Sequence, residues 1–578
     1  MHVLVLVKQI PDVNRIQFDP ATMRIRREGV PLLMNAFDRK AVEEALRIKE
    51  RIGGKTSVVT MGPPSAKDVA VESVRMGIDR GYLITDREFA GADTYITSKV
   101  LSAFVRSISP DIVLAGKYSL DGETSQVPPE IAEMTGYSFK SSVSKIEFEA
   151  ENSYIIAEQE REDGLTSFEV PLPAVISVSE KINRARMPAP ASPEFDSKVS
   201  TVGETQLNSG IRGADSPTVV IRTDKVENLR KPEFVELGDA AFNRVVEMLK
   251  SRPAGNVETI TLRESTSLNG EIWGVALNDT QTAFEISSKL AEISAGTNSF
   301  VRMTGNVEPE RLQGMLCHSY RYTDCTDNEL IAETLAARIS AEKPMFVVLP
   351  STVDGREISS SVAAKLGLGL TADCIDLAYK DGSLIQYKPA FGGGLVAAIT
   401  SKTKPEMATV RPGMLRRKTG SAPMRVEKIS IAGKPRVKRR GFTAVESTYR
   451  PLQSSRIVIG LGRGLKNREN VARVFPLAQK LDAAIAGSRP IVDAGWVPRQ
   501  QQVGLTGLSI SPDVYIALGI SGQDNHVVGI RYAGKVIAVN SNRDAPIFHY
   551  ADLAIVGDLF SFVEGLLKFI DSRSITFT

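Results

Sequence analysis

Apolar and polar positions alternate in blocks along this chain, and the blocks are clearest near its end. Five runs, Arg456-Ile-Val-Ile-Gly-Leu-Gly462, Ile491-Val-Asp-Ala-Gly-Trp496, Val514-Tyr-Ile-Ala-Leu-Gly519, Val536-Ile-Ala-Val-Asn540 and Leu553-Ala-Ile-Val-Gly-Asp558, each stop at a turn of small or polar residues. Short β-branched runs bounded by Gly or Asn predict buried parallel strands, and residues 469–481 predict a helix between them. The first third repeats the theme, with apolar runs at 3–7, 57–61, 111–115 and 174–178 alternating with helical periodicity at 39–51, 66–76 and 94–107. That alternation predicts a doubly wound α/β domain. Such sheets bind ligands at the loops that follow the carboxyl ends of their strands.

The chain also contains itself twice. Residues 111–123 (Asp111-Ile-Val-Leu-Ala-Gly-Lys-Tyr-Ser-Leu-Asp-Gly-Glu123) and 345–356 (Met345-Phe-Val-Val-Leu-Pro-Ser-Thr-Val-Asp-Gly-Arg356) each read as a strand, a polar turn with Asp-Gly, and a helix. The first helix carries Ser125 and Val127 and ends near Thr135-Gly136; the second carries Ser361 and Val362 and ends near Leu366-Gly367. Both lead through alternating β segments to a Pro-rich exit, at Pro188-Ala-Pro190 and Val410-Arg-Pro412. A repeat on this scale points to duplication. The expected domains are a first copy over 1–190, a polar connecting arm over 191–265 with a helix at 240–251, and a second copy over 266–412. A basic link over 413–452 and a C-terminal domain over 453–578 complete the chain. Lys438-Arg-Arg440 in the link reads as a solvated tether.

At 578 residues the chain needs more than one core. A net charge of +3 lacks the strong basic field of a nucleic-acid binder. No run approaches the ~18 apolar residues of a membrane span, and the run at 3–7 is too short for a signal-peptide core. A cytoplasmic protein without membrane insertion is the expectation. Cys317, Cys325 and Cys374 form no Cys-x-x-Cys pair, which fits a reducing compartment. Cys317-His318 with Cys325 lacks a fourth ligand at metal-site spacing, so no metal is expected.

The C-terminal loops carry the most specific pattern. In order they are Gly462-Arg-Gly464, Ser488-Arg-Pro490, Gln502-Val-Gly-Leu-Thr-Gly507, Ile520-Ser-Gly-Gln-Asp-Asn-His526, Asn540 and Asp558. Singly each is weak. In this order and at this spacing they resemble the FAD domain of the electron transfer flavoprotein alpha subunit. Residues 1–190 resemble the beta subunit, on Val7-Lys8, Met34-Asn-Ala-Phe-Asp38, Thr60-Met-Gly-Pro-Pro64 and Asp121-Gly-Glu-Thr-Ser-Gln-Val127. Residues 271–412 resemble the first alpha domain, on Tyr387-Lys-Pro-Ala-Phe-Gly-Gly393 and Met407-Ala-Thr-Val-Arg-Pro-Gly413. The chain resembles a beta–alpha fusion, a pseudo-heterodimer within one polypeptide. The implied fold is α/β: two related doubly wound domains of adenine-nucleotide-binding type and a Rossmann-like FAD domain with a parallel sheet.

The resemblance implies an FAD held by Arg463, Ser488, Arg489, Gln502, Val503, Gly504, Leu505, Thr506, Gly507, Ser521, Gly522, His526, Asn540, Asp558 and Leu559. His526 is expected to place a cation or strong donor near N1 and the C2 carbonyl, where the reduced ring is negative. Arg489 is the second cationic candidate, at the reactive edge. Thr506 is expected to bond N5, with Gly504 and Gly507 permitting close backbone approach. Arg463, Ser488 and Ser521 suit the pyrophosphate or ribityl chain, and Asn540 and Asp558 the adenosine half. Leu505 stands where the family usually has Gln.

A second nucleotide pocket is implied at Leu6, Asn35, Phe37, Asp38, Met61, Gly116, Asp121, Gly122, Glu123, Thr124, Ser125, Gln126 and Val127. Conventional members hold AMP there and electron-bifurcating members a second FAD. Residues 85–94 and 121–127 resemble the bifurcating group and favour FAD, although Glu123 stands where Asp is commoner and Pro128-Pro129 where Gly often begins the pair. The residues after Asp121 are expected to open a helix whose N–H groups hold phosphate. The equivalent Asp354-Gly-Arg356 lacks the polar run and is expected to hold no nucleotide.

The leading functional expectation is an electron shuttle. Acyl-CoA dehydrogenases or similar flavin dehydrogenases deliver electrons to the C-terminal FAD, which passes them to a membrane quinone oxidoreductase. The sequence has no Gly-x-Ser-x-Gly and no catalytic Cys–His pairing, which fits a carrier. The beta subunit's apolar docking anchor, commonly Leu, is replaced by Met187 in Arg186-Met-Pro-Ala-Pro-Ala191, and Met surfaces adapt to several partners. The C-terminal domain is expected to swivel on its linkers. An alternative is an NADH-oxidising bifurcating flavoprotein with a second FAD. A third reading, an adenine-nucleotide sensor or hydrolase, rests on fold analogy alone.

Overall fold

The computed structural model describes residues 1–12, 17–19, 24–26, 30–148, 153–161, 164–225, 230–251, 259–262, 268–390, 394–444, 449–504 and 507–577. Three large sheets organise them. The first has ten strands and is parallel from Val199–Val202 through Arg80–Ile84, Lys55–Met61, His2–Leu6, Ile112–Gly116 and Ala174–Val178 to Ser138–Phe148. It continues antiparallel through Tyr154–Glu160 and Gly164–Pro171 to Lys438–Ala444. The central strands are buried along their whole length, as a sheet covered on both faces requires. Tyr154–Glu160 instead alternates between buried and half-buried positions, the period-two signature of a strand with one wet face.

The second sheet has seven parallel strands around Glu271–Ala276, Phe346–Pro350 and Glu406–Val410, flanked by a separate four-stranded antiparallel sheet. The third has six parallel strands, in the order Glu233–Glu236, Leu553–Val556, Lys535–Asn540, Val514–Leu518, Ile457–Leu461, Ala484–Gly487.

The connecting arm and basic link are built into these sheets. Thr218–Lys225 of the arm pairs with Leu395–Ser401 of the second copy, and Lys438–Ala444 of the link pairs with Gly164–Pro171 of the first. Each copy thus lends a following strand to the other's hairpin. Further along the arm, Glu233–Glu236 joins the C-terminal sheet, and the helix Asp239–Lys250 packs Phe242 against Phe562 and Phe569. The arm over 191–265 does not stand apart from the domains it connects, because its strands join four different sheets. Lys438-Arg-Arg440 is likewise an edge strand and not a free tether: Lys438 and Arg440 each reach Glu169 at 3.1 Å. An edge strand offers unpaired N–H and C=O groups, and that backbone pairing, invisible in composition, recruited the basic segment.

Two further expectations are revised. Residues 491–496 do not form a strand: Arg489–Asp493 is a short helix opened by Pro490, and the strand is Ala484–Gly487. Pro at the first turn has no N–H to lose and its φ suits a helix, so the apolar run packs as one. Residues 469–481 split into a 3-10 segment, Glu469–Val474, and a helix, Phe475–Lys480.

Candidate functional sites

The strand order of the C-terminal sheet reverses between Ile457–Leu461 and Val514–Leu518, and the loops leaving these strands open a crevice there. Such a switch point is where open α/β sheets take ligands. Its walls are bare backbone: a Cβ on Gly462 would strike the Gly519 carbonyl, and one on Gly464 would lie 2.7 Å from Gly519 Cα. Gly504, at φ 135°, has no room for a side chain against the Asn525 carbonyl. His526 is buried beside this turn with Nε2 2.9 Å from the Tyr515 hydroxyl, while Nδ1 makes no hydrogen bond of normal geometry among the described residues. Burial pushes the imidazole down to about 4. Of the two possibilities for this position, a cation or a strong donor, the buried ring suits the neutral hydrogen-bonding group. The Val503 backbone lies against the ring as a hydrogen-bond acceptor, and the glycine walls beside it fit a planar cofactor approached through backbone.

The remaining loop residues divide between the crevice and its supports. Ser488, buried, ends the strand Ala484–Gly487 and donates its N–H to the Leu461 carbonyl at 2.9 Å. Gly522, at φ 87°, lies against the Ile547 backbone, and the Ser521 carbonyl accepts from Ile547 N at 3.0 Å. Asn540 donates to the Ile520 carbonyl at 2.9 Å, bracing the turn. Asp558 caps the helix Leu559–Ser572 through Ser561 N at 2.8 Å, and Leu559 is buried beneath it. Gln502 and Val503 are buried in the strand-like approach to Gly504, Gly507 donates back to the Gly504 carbonyl at 2.9 Å, and Arg463 is exposed at the rim. Leu505 and Thr506 lie outside the described residues. Arg489 stands on the wall of a cleft of about 860 Å³ between this domain and the first copy, paired with Asp493 at 3.1 Å.

A second cavity, of about 1100 Å³, opens above the first sheet. Leu6, Met61 and Gly116 at strand ends form its floor with Asp38. Asp38 accepts from Lys8 N at 2.8 Å and Gly116 N at 3.1 Å, and burial pushes its carboxyl up to about 7. Gly122, Thr124, Ser125, Gln126 and Val127 line one side. Glu123 and Ser125 have positive φ, 51° and 59°, so successive peptides alternate in hand, the arrangement that turns N–H groups inward as an anion nest. The helix starts only at Val127, later than expected. Asn35 and Asp121 lie behind the loop: Asn35 bonds the Tyr118 carbonyl at 2.9 Å, and Asp121 pairs with Lys8 at 2.7 Å. Phe37 packs against Tyr118 with the two rings tilted by 60° and lines the 860 Å³ cleft, and Glu123 turns towards Arg411, at 3.4 Å.

In the second copy the same stretch is helical. Counting back from Gly136 and Gly367, which close the two helices, sets Asp354 opposite Glu123, two places on from the Asp121-Gly match in the sequence, and in the first turn of the helix Val353–Leu366. Asp354 is buried there, accepting from Asn278 at 2.7 Å and Asn328 at 2.9 Å and pairing with Arg161. The loop that forms a nest in one copy is coiled and filled by a carboxylate in the other. Cys317 and His318, considered above for metal, are a buried thiol and an imidazole that accepts from Val301 N at 2.9 Å and stacks on Phe300.

The sequence pattern of the electron transfer flavoprotein domain matches residues 22–206 and 316–433, more than half of the chain. The chain belongs to the electron transfer flavoprotein family. The pattern of that family's FAD-binding domain matches residues 451–531, the stretch that forms the glycine crevice. Electron transfer flavoprotein subunit beta of Thermoanaerobacterium thermosaccharolyticum is 39% identical over 261 residues, 44% of this chain and 99% of that protein. Subunit alpha of Clostridium acetobutylicum is 32% identical over 317 residues, 52% of this chain and 93% of that protein. Protein FixA of Azorhizobium caulinodans is 35% identical over 269 residues, 44% of this chain and 95% of that protein. Beta-subunit relatives match the N-terminal half and alpha-subunit relatives the remainder, so this flavoprotein carries both subunits in one chain.

Sequence reasoning on the flavoprotein missed the far wall of the 1100 Å³ cavity. Leu370, Thr371, Ala372, Lys388 and Ile399 of the second copy and Thr218 of the arm complete it. No local signal marks them; they arrive through docking of the two copies, where Gln126 donates to the Leu370 carbonyl at 2.8 Å. Among the described residues no helix is long and apolar enough to cross a membrane.

Proposed function

We propose that this electron transfer flavoprotein accepts electrons from acyl-CoA or related flavin dehydrogenases at the C-terminal crevice and delivers them to a membrane quinone oxidoreductase. The observation that carries the reading is the glycine-walled switch point, with the buried His526 beside it. FAD bound there supplies one- and two-electron redox chemistry. Around it, the Ser488 hydroxyl and the exposed Arg463 guanidinium offer donors to phosphate. His526 offers a hydrogen bond from an uncharged ring, and Arg489 brings positive charge to the cleft wall. Phe37 and Trp496 both line the cleft and make part of its wall apolar. Docking is supported by Met187, 81% exposed. Its neighbours hold it out rigidly: Arg186 pairs with Glu43 and Glu50, each at 2.8 Å, and Ala189 N bonds the Arg75 carbonyl at 2.9 Å.

A second reading, NADH-oxidising bifurcation with a second FAD, is favoured by the N-terminal cavity. At about 1100 Å³ it exceeds the ~300–1,000 Å³ usual for small-ligand sites, and it runs beyond the nest to the wall supplied by the second copy. Releasing the bound nucleotides by heat and counting them tests both readings. One FAD and one AMP per chain, with no flavin bleaching by NADH under anaerobic conditions, supports the carrier. Two FAD with bleaching supports bifurcation, and a colourless protein overturns both.

A further inference from the structure

The far wall of the N-terminal cavity contains a side chain with no evident structural purpose. Lys388, on the strand Ser383–Ala390 of the second copy, is 6% exposed and lines the cavity. An ammonium carries three donors, and the one hydrogen bond Lys388 makes among the described residues is to the Ala372 carbonyl, at 2.9 Å. Its carboxylate neighbours are engaged elsewhere: Asp373 pairs with Arg356 at 3.1 Å and with Arg411, which also reaches Glu123. The three cations and two carboxylates leave this wall with one unbalanced positive charge. A buried ammonium without a counter-charge is costly, and burial lowers Lys388 from its ordinary value while Asp373 and Glu123 only partly restore it. Across the cavity lies the nest of residues 122–126, where the Gly122 and Glu123 N–H groups are spent on Asp121 and the Ser119 carbonyl and those of Thr124, Ser125 and Gln126 remain for an anion.

We infer that Lys388 is a phosphate-binding residue of the N-terminal nucleotide site, closing from the second copy the anion site that the nest opens in the first. The nucleotide site is then bipartite, assembled only where the two copies meet. The inference rests on the reading that this cavity takes an adenine nucleotide, and phosphate is common to AMP and FAD.

The test uses full-length chain carrying FAD in the C-terminal domain and stripped of its N-terminal nucleotide. AMP and adenosine are titrated into wild type, Lys388→Met and Lys388→Arg. Lys388→Met is expected to weaken AMP at least tenfold and to leave adenosine within twofold, with Lys388→Arg retaining most AMP affinity. Equal loss of AMP and adenosine, or no loss of either, overturns the inference, since a packing residue does not distinguish a phosphate. Full C-terminal FAD content verifies that each variant is folded; should Lys388→Met lose it, Lys388→Gln takes its place. Wild type that binds neither compound overturns the nucleotide reading itself, and the inference with it, before any variant is compared.

Discussion

His526 shows how a single burial sets chemistry. Tyr515 is fully buried in its strand, and only the missing side chain of Gly460 leaves space for its ring, since a Cβ there would collide with the hydroxyl. The hydroxyl then holds His526 by Nε2. Burial lowers the folded-state value of the imidazole to about 4 from its ordinary 6.5, so between these limits the unfolded chain binds more protons than the folded one. The stabilisation associated with the neutral ring is complete above pH 6.5 and disappears as pH falls towards 4. Urea unfolding of the FAD-free protein from pH 7 to pH 4 should therefore show wild type losing up to about 3 kcal/mol relative to His526→Gln. Parallel pH profiles for the two would contradict this assignment.

At the scale of elements, one loop explains why duplicated domains differ. Residues 122–126 stay open in the first copy, whereas the second coils the equivalent stretch into the first turn of Val353–Leu366. Between the copies, burial would raise the Asp373 carboxyl, but Arg411 and Arg356 outweigh it and hold it well below the usual carboxylate range. Removing one partner of a buried pair leaves charge uncompensated. Arg411→Met is expected to lower unfolding stability by about 3–5 kcal/mol, measured by urea denaturation; a loss below about 1 kcal/mol would show that Arg356 alone suffices. Lys438 and Arg440 are the contrast. Their pairs with Glu169 are solvent-screened, so charge-removing variants there should leave the urea midpoint where it is in wild type.

For the whole molecule, the question is what holds the C-terminal domain in place. Arg499 of that domain pairs with Glu180 of the first copy at 2.8 Å, and Glu180 also pairs with Lys117 at 2.6 Å. Burial would raise the Glu180 carboxyl, yet Lys117 and Arg499 hold it at about 2. Glu180→Gln should loosen this contact and broaden spin-label distances between the first copy and the C-terminal domain, with FAD content unchanged. An equally narrow distribution would mean the domain is fixed by other contacts. Carrying both subunits in one chain keeps the halves at high effective concentration, and the exchanged strands, Thr218–Lys225 and Lys438–Ala444, tie them further.

The sequence by itself determined the periodic apolar runs, the duplication and the order of glycine turns, because strand burial and left-handed turns are dictated locally by residue type. Gly504 and Gly522 were legible for that reason, and Gly462 and Gly464 because backbones approach too closely there for a side chain. It misplaced residues 491–496, where Pro490 and tertiary packing decided between helix and strand for one short apolar run. Only the tertiary structure decided which sheets the arm and link would join, that His526 would be uncharged, and that Lys388 would face the first copy's nest. Edge-strand pairing, desolvation and contacts between domains depend on residues far apart in the chain, and no window of sequence contains them.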